Sequence, residues 1–462
     1  MKTLIMKLVK EKNFLSLMAN FSTSILTLLS FVVLIRSVGS NDFGRWVLFT
    51  AARSLVDLLR FGLTRPATVK FLSSAAEQEK KVFMGSAASM GLLMVLFSAV
   101  ILYPIYFIFK DNIDASGYDL FFIWYPIVAL TNLSWNHAWS FQQAQQRFDS
   151  ILWIRFLNYF PFFIFLLINY YYLNSAIETI VIVFIFTNII SSFYCGIKKW
   201  DGFAYLHRTT KEKLKQIWIY GVYSMATQAG SSLLRSADTF IISFSSFIGS
   251  SGVALYSIPL KYVEIIEIPL RSFISTAFPQ MSKAHTENKP EELKKILYTY
   301  AGAVTLLLIP VTLGVFIFAK YFVWILGGKE YYQYVDQLLP IMYLFMIYGL
   351  LLPLDRFTGV ALDSLNQPNK NFKKMIWMLS INITGDAFAV FGLHYFFPHW
   401  TLFTLLFFVA LVSVIFTIIG LYVGYRYTKK EVNIRLINFY KEGVSFYIKA
   451  IKKILEKMKK NG

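Results

Sequence analysis

The sequence predicts an all-helical, polytopic membrane protein of about twelve transmembrane helices, in two six-helix bundles related by a pseudo-two-fold axis along the membrane normal. Three observations predict it. Of 462 residues, 56% are hydrophobic and only 15% are charged, where a soluble chain carries about 25% charged residues. Apolar stretches lie near 14–36, 43–64, 83–109, 119–141, 151–169, 177–197, 217–244, 253–270, 296–318, 337–362, 375–395 and 401–424, each near or above the roughly 20 residues a helix needs to cross. Third, assigning the connecting segments alternately to two sides puts 34 of the 45 Lys and Arg on one side, leaves Lys110, Lys320 and Lys329 on the other, and keeps the remainder inside spans. The positive-inside rule then makes both termini cytoplasmic. The net charge of +19 is accounted for by this sidedness, with no nucleic-acid partner required.

The elements follow in order. Met1 to Asn13 is basic and leads into an apolar run long enough to span, so no cleavable signal sequence is expected. Arg36 sits at the end of the first span and can snorkel. The second span carries Arg45, Arg53, Asp57 and Arg60 on one face. At about 100° per residue, Arg53, Asp57 and Arg60 fall within roughly 60°, and Arg45 widens the arc to about 120°. An arginine or aspartate at a bilayer centre costs about 2.5–3.5 kcal/mol, so this face is expected to line a hydrated, cationic cavity that receives an anionic cargo. The third and twelfth spans hold no interior charge. Cys195, the single cysteine, lies near the cytoplasmic end of the sixth span and packs as a small apolar residue.

Lys198–Gln216 separates the sixth and seventh spans near the chain midpoint, which gives 1–198 as an N-terminal six-helix bundle, 199–216 as a cytoplasmic linker, 217–428 as a C-terminal six-helix bundle and 429–462 as a basic tail. The halves are weakly repeated. Val38-Gly39-Ser40 matches Ile248-Gly249-Ser250, Trp46 matches Tyr256 and Asp57 matches Glu267, while Gln143-Ala144-Gln145-Gln146 matches Ser364-Leu365-Asn366-Gln367. Six helices return the chain to its starting side, so the halves share one orientation. The seventh span holds Arg235 and Asp238, spaced to pair, and the eighth holds Lys261, Glu264 and Glu267 with Arg271 at its end. These ions, with Asp355-Arg356, either neutralise one another and lock helices together or line the cavity. Across spans two, seven and eight, six bases oppose four acids, an excess of two that could match a pyrophosphate. In the tail, Ile437, Tyr440, Val444, Tyr447, Ile448, Ile451, Leu455 and Met458 recur at helical spacing among lysines. That pattern predicts an amphipathic helix on the cytoplasmic leaflet.

Enzyme chemistry is poorly represented. His137, His207, His285, His394 and His399 are scattered without metal-ligand spacing, and there is no phosphate-binding Gly-x-x-x-x-Gly-Lys-Ser/Thr loop. No metal, cofactor or catalytic residue is expected. Asp111, Asp114 and Asp119 face outward but lack an outer domain to grip a sugar acceptor.

The stretch Asn20 to Lys70, with Leu34-Ile35-Arg36-Ser37-Val38-Gly39, Asp42-Phe43-Gly44 and Leu59-Arg60-Phe61-Gly62-Leu63, resembles the polysaccharide-biosynthesis flippases. These are the O-antigen and capsule repeat-unit exporters of the multidrug/oligosaccharidyl-lipid/polysaccharide exporter superfamily. Ser236-Ala237-Asp238-Thr239-Phe240, Gly327-Gly328-Lys329-Glu330-Tyr331 and Leu365-Asn366-Gln367-Pro368 continue the resemblance through the twelve-span body. It implies two bundles facing each other in a V around a cavity lined mainly by helices one, two, seven and eight. It also implies a cargo, an oligosaccharide on undecaprenyl pyrophosphate, flipped across the bacterial inner membrane by alternating access. Membrane lipids and other polysaccharide-assembly membrane proteins are the implied partners. The expected cavity residues are Arg45, Arg53, Arg60, Arg235, Lys261 and Arg271, with Asp57, Asp238, Glu264 and Glu267 balancing charge or coupling transport to an ion. Two other readings stay open: a cation-coupled drug or metabolite antiporter of the same superfamily, and a membrane glycan polymerase or ligase.

Overall fold

The computed structural model describes residues 12–74 and 76–461, with side chains described at 22–69, 71, 72, 76–222, 225, 229, 230, 232–449 and 452. No strand occurs among the described residues. The helices are α1 (Lys12–Ser37), α2 (Ser40–Ser74), α3 (Glu77–Ile108), α4 (Lys110–Ala115), α5 (Asp119–Thr131), α6 (Leu133–Ala144), α7 (Phe148–Ile168), α8 (Ile177–Ile197) and α9 (Lys211–Ser243). They continue as α10 (Gly249–Thr286), α11 (Pro290–Ile317), α12 (Ala319–Tyr332), α13 (Val335–Ser364), α14 (Pro368–Ala387), α15 (Leu393–Phe396), α16 (Leu402–Val432) and α17 (Leu436–Asn461).

Among the described residues seven stretches, on α3, α7, α8, α11, α13, α14 and α16, are long and apolar enough to cross a membrane, that of α7 including the π-helical turn after it and that of α14 running through its π-helical turn and α15. The chain is a multi-pass membrane protein, and these helices carry Phe107, Trp153, Phe193, Ile317, Trp377 and Ile418 on exposed faces, as lipid-facing helices must. The predicted fourth span is broken at Asn132 into α5 and α6. The predicted spans on α2 and α10 fall short of that apolarity for a physical reason. They hold Arg53, Asp57, Arg60, Lys261, Glu264 and Glu267, residues singled out as a candidate site.

The chain forms two compact units, one up to Ala254 and one from Leu255. In the first, α9 packs along α2 so closely that a Cβ on Gly221 would lie 1.9 Å from the Leu63 carbonyl oxygen. Small residues of this kind let membrane helices approach backbone to backbone. The segment expected to serve as a linker folds onto α3. Its 3₁₀ turn Phe203–Arg208 follows Asp201, which is buried and accepts from Ser134 Oγ at 2.6 Å and from the Phe203 amide at 3.1 Å. In the second unit, α13, α14 and α16 pack as one group, with Met342, Phe345, Phe357, Val409 and Ala410 in its core.

The order of elements repeats. Gln146 and Asn366, 220 positions apart, both take the left-handed conformation, with φ of 56° and 57°. Each is followed by a helix, at Phe148 and Pro368, and each of those helices ends in a π-helical turn, Asn169–Leu173 and Phe388–Gly392. A left-handed residue closes the preceding helix and resets the chain direction, so the two segments share a turn, one position out of register with the sequence match of Gln143–Gln146 to Ser364–Gln367, which pairs Gln146 with Gln367.

Candidate functional site: charged faces of α2 and α10

On α2 the structure draws Asp57, Arg60 and Arg53 together. The Asp57 carboxylate accepts from Arg60 Nη1 at 2.9 Å, from the Tyr125 hydroxyl at 3.1 Å and from Asn132 Nδ2 at 3.1 Å. Arg60 is 4% exposed and donates also to Tyr125 Oη at 3.2 Å and to the Ala129 carbonyl at 2.7 Å. One buried ion pair therefore ties α2 to α5 and to the Asn132 break before α6. The break has a use: it turns the Asn132 amide onto Asp57.

Arg53 is placed differently. Its Nη1 is 3.8 Å from Asp57 Oδ2, beyond hydrogen-bond range. The guanidinium carbon lies 4.9 Å from the centroid of the Phe184 ring on α8. Its Nε is buried with no hydrogen-bond partner. Arg45, two turns nearer the start of α2, is fully engaged. It donates to Asp42 at 2.6 Å, to Glu178 at 3.0 Å and through both Nε and Nη2 to Asp119. A two-pronged arginine–carboxylate pair fixes orientation as well as charge, so Arg45 anchors α2 to the starts of α5 and α8. On α9, Asp238 is buried and Arg235 exposed.

In the second unit, Glu267 on α10 lies 2.5 Å from Arg271 one turn along and 3.6 Å from Arg356 of α13. Lys261 and Glu264 pair at 2.7 Å. Asp355 and Arg356, adjacent in sequence, take their closest ion pairs from different helices. Asp355 takes Lys374 of α14 at 2.6 Å, while Arg356 turns to Glu267. Lys374 is buried and also donates to the Asp355 carbonyl at 2.6 Å and to Thr358 Oγ1 at 3.3 Å.

Sequence reasoning missed Tyr125, Asn132, Glu178, Thr358 and Lys374 as members of these clusters. The predicted spans 337–362 and 375–395 leave Lys374 in the segment that connects them. The available signal was Pro368, a residue suited to the first turn of a helix, which starts α14 early enough to carry Lys374 inward. His137 packs its ring against Phe61 and Phe141, and Cys195 is buried beside Trp135, Ala138 and Ile154. Among the described residues no group of three His, Cys, Asp or Glu could hold a metal ion.

Comparison with known proteins adds a family. The model described as "Polysaccharide biosynthesis protein" matches residues 9–285, and the MatE model matches 224–359. A probable low-salt glycan biosynthesis flippase, Agl15 of Haloferax volcanii, is 22% identical over 189 residues, 40% of this chain. That match spans only 38% of the relative's length. Among solved structures, an inward-facing multidrug resistance MATE family transporter of the MOP superfamily superposes with a TM-score of 0.72 at 14% identity, covering 88% of this chain and 95% of that one. The lipid II flippase MurJ, in an inward closed conformation, gives 0.67 at 16% identity, covering 95% and 92%. At these identities the structures speak for the fold.

Proposed function

Because the chain belongs to the polysaccharide biosynthesis protein family, flippases of the MOP superfamily, we propose that it moves an oligosaccharide carried on undecaprenyl pyrophosphate across the membrane for surface polysaccharide synthesis. The observation that carries the reading is Arg53. An arginine on a membrane helix needs a counter-charge or water. Arg45 and Arg60 both hydrogen-bond to carboxylates, whereas Arg53 stands 3.8 Å from its carboxylate; its buried Nε, like that of Arg60, has no partner. That guanidinium is assigned to the pyrophosphate, with Arg45 and Arg60 holding its helix in place. Arg235, Lys261 and Arg271 add positive charge on α9 and α10. Asp57, Asp238, Glu264 and Glu267 balance it, and Asp57 and Glu267 are the coupling candidates. Such transport requires one scaffold with two states, each open to one side.

Complementation of a bacterial strain lacking its own flippase tests this, scored by surface glycan and by accumulated lipid-linked intermediate. Arg53→Ala at normal abundance is expected to lose most surface glycan and accumulate the intermediate. Arg53→Lys should retain part of the activity, because lysine keeps the charge and loses the fork. Full surface glycan in Arg53→Ala sinks the assignment. The MatE match over 224–359 favours a second reading, an antiporter of cationic drugs. That reading predicts raised tolerance to such drugs with no restored glycan.

A further inference from the structure

The last helix, α17, presents three different faces in sequence around its circumference. At about 100° per residue, Phe439, Gly443 and Tyr447 form one face, Ile437, Tyr440, Val444 and Ile448 the next, and Lys441, Lys449 and Lys452 the third.

The first face is docked on α11. A Cβ on Gly302 would lie 1.8 Å from the Phe439 carbonyl oxygen, and one on Gly443 would lie 2.6 Å from the Gly302 carbonyl carbon. The two helices thus cross with glycine against glycine. Around the crossing, Phe439 meets Tyr298 edge to face at 4.9 Å, the Arg435 amide donates to the Tyr298 hydroxyl at 2.8 Å and the Tyr447 hydroxyl donates to the Ala303 carbonyl at 2.8 Å. Asn433, left-handed at φ 48°, turns the chain from α16 into this seat. The second face is exposed and apolar: Ile437, Tyr440, Val444 and Ile448 are each more than 40% exposed. The third is basic and exposed.

A helix seated on a membrane bundle, with an open apolar stripe flanked by lysines, has the geometry of an interfacial helix. The stripe enters the acyl boundary and the lysines meet the phosphates. Lysines select the occupant, since juxtamembrane basic residues are drawn to anionic lipid. Neither face has any role in the cargo chemistry argued above. We propose that α17 is a docking surface for anionic phospholipid headgroups, and that lipid bound there acts on the transporter body through the Gly302–Gly443 crossing with α11. The crossing makes the coupling mechanical: a backbone-to-backbone contact has no flexible side chain to absorb a shift of one helix against the other.

The test uses the full chain in nanodiscs of phosphatidylcholine alone or mixed with phosphatidylglycerol, read by amide hydrogen exchange, so it is independent of what the protein carries. Phosphatidylglycerol is expected to slow exchange across α17 by about tenfold, to slow exchange in the α11 turns around Gly302, and to lose both effects at high salt. The Lys441→Gln, Lys449→Gln, Lys452→Gln triple variant should show the phosphatidylcholine rates in both lipids. Gly443→Leu, which forces the crossing apart, should keep the slowing in α17 and lose it in α11. Equal α17 rates in the two lipids overturn the docking surface, as does full slowing in the triple variant. Slowing confined to α17 in the unmodified chain overturns the coupling.

Discussion

Asp57 on α2 and Glu267 on α10 are the two acids that the sequence match between the halves aligns, yet their surroundings differ in kind. Asp57 is held by donors from α2, α5 and the Asn132 break, and the cation it neutralises, Arg60, is buried. Glu267 is itself buried, but its nearest cation, Arg271, has a side chain 62% exposed and lies one turn along the same helix. Arg356 reaches it from α13, at 3.6 Å. The first acid is the centre of a knot that pins three elements. The second is a helix-face pair with one arm in contact with its surroundings. The second unit has its own knot, away from α10, where Lys374 of α14 closes on Asp355 and Thr358 of α13. The buried ion pair thus sits on α2 in the first unit and between α13 and α14 in the second.

The largest expected effect breaks the comparison if it fails. Asp57→Ala strands the buried Arg60 guanidinium without its carboxylate, and losing one partner of a buried pair costs about 3–5 kcal/mol. Thermal unfolding of the purified protein in detergent should show a marked drop in apparent Tm, with low abundance in cells. Glu267→Ala should cost clearly less, because Arg271 can turn to solvent. A larger loss from Glu267→Ala than from Asp57→Ala would reverse the assignment of knot and helix-face pair.

Lys374→Met comes next and sharpens the claim that the second unit keeps its knot elsewhere. It leaves the Asp355 carboxylate buried beside a thioether, at a cost of about 3 kcal/mol. Removing both charges with Lys374→Met and Asp355→Leu should recover most of that loss, since apolar replacements for a buried ion pair are often neutral. The same melting experiment reads it. A double variant no better than the single one would mean that the pair does more than neutralise itself.

The all-helical class and the concentration of charge on α2 and α10 were legible in the sequence, because hydrophobicity and helical spacing are properties of one segment at a time. The partners were not. Nothing in the spacing of Asp57 and Arg60 names Tyr125 or Asn132, which arrive from helices more than 60 positions away. Nor does it reveal that Arg45 spends its guanidinium on Asp119 and Glu178. The tail helix shows the same limit. Its amphipathic pattern was visible, but Gly302 and Gly443 become meaningful only once α11 and α17 are seen to cross there. Lys374 was hidden by a boundary error, since a lysine six residues after a proline fits a loop as readily as a second helical turn.

The smallest expected effect tests the comparison at its weakest point. Arg271 lies close to Glu267, at 2.5 Å, and proximity alone would make it the stronger of the two arginines. Exposure argues the other way. A largely solvated arginine gives up little hydration when it pairs and loses little when the pair breaks, so an exposed ion pair is worth about 0–1 kcal/mol. Arg356 is the longer contact but is less exposed, at 32% for its side chain, and it brings charge from another helix. A double-mutant cycle on apparent stability, Glu267→Gln against Arg271→Ala and against Arg356→Ala, separates the two. Coupling to Arg271 is expected to be below about 0.5 kcal/mol and to fade with salt, while coupling to Arg356 should be the larger and less salt-sensitive. If Arg271 carries the greater coupling, distance outweighs burial at this site, and Glu267 belongs to α10 alone.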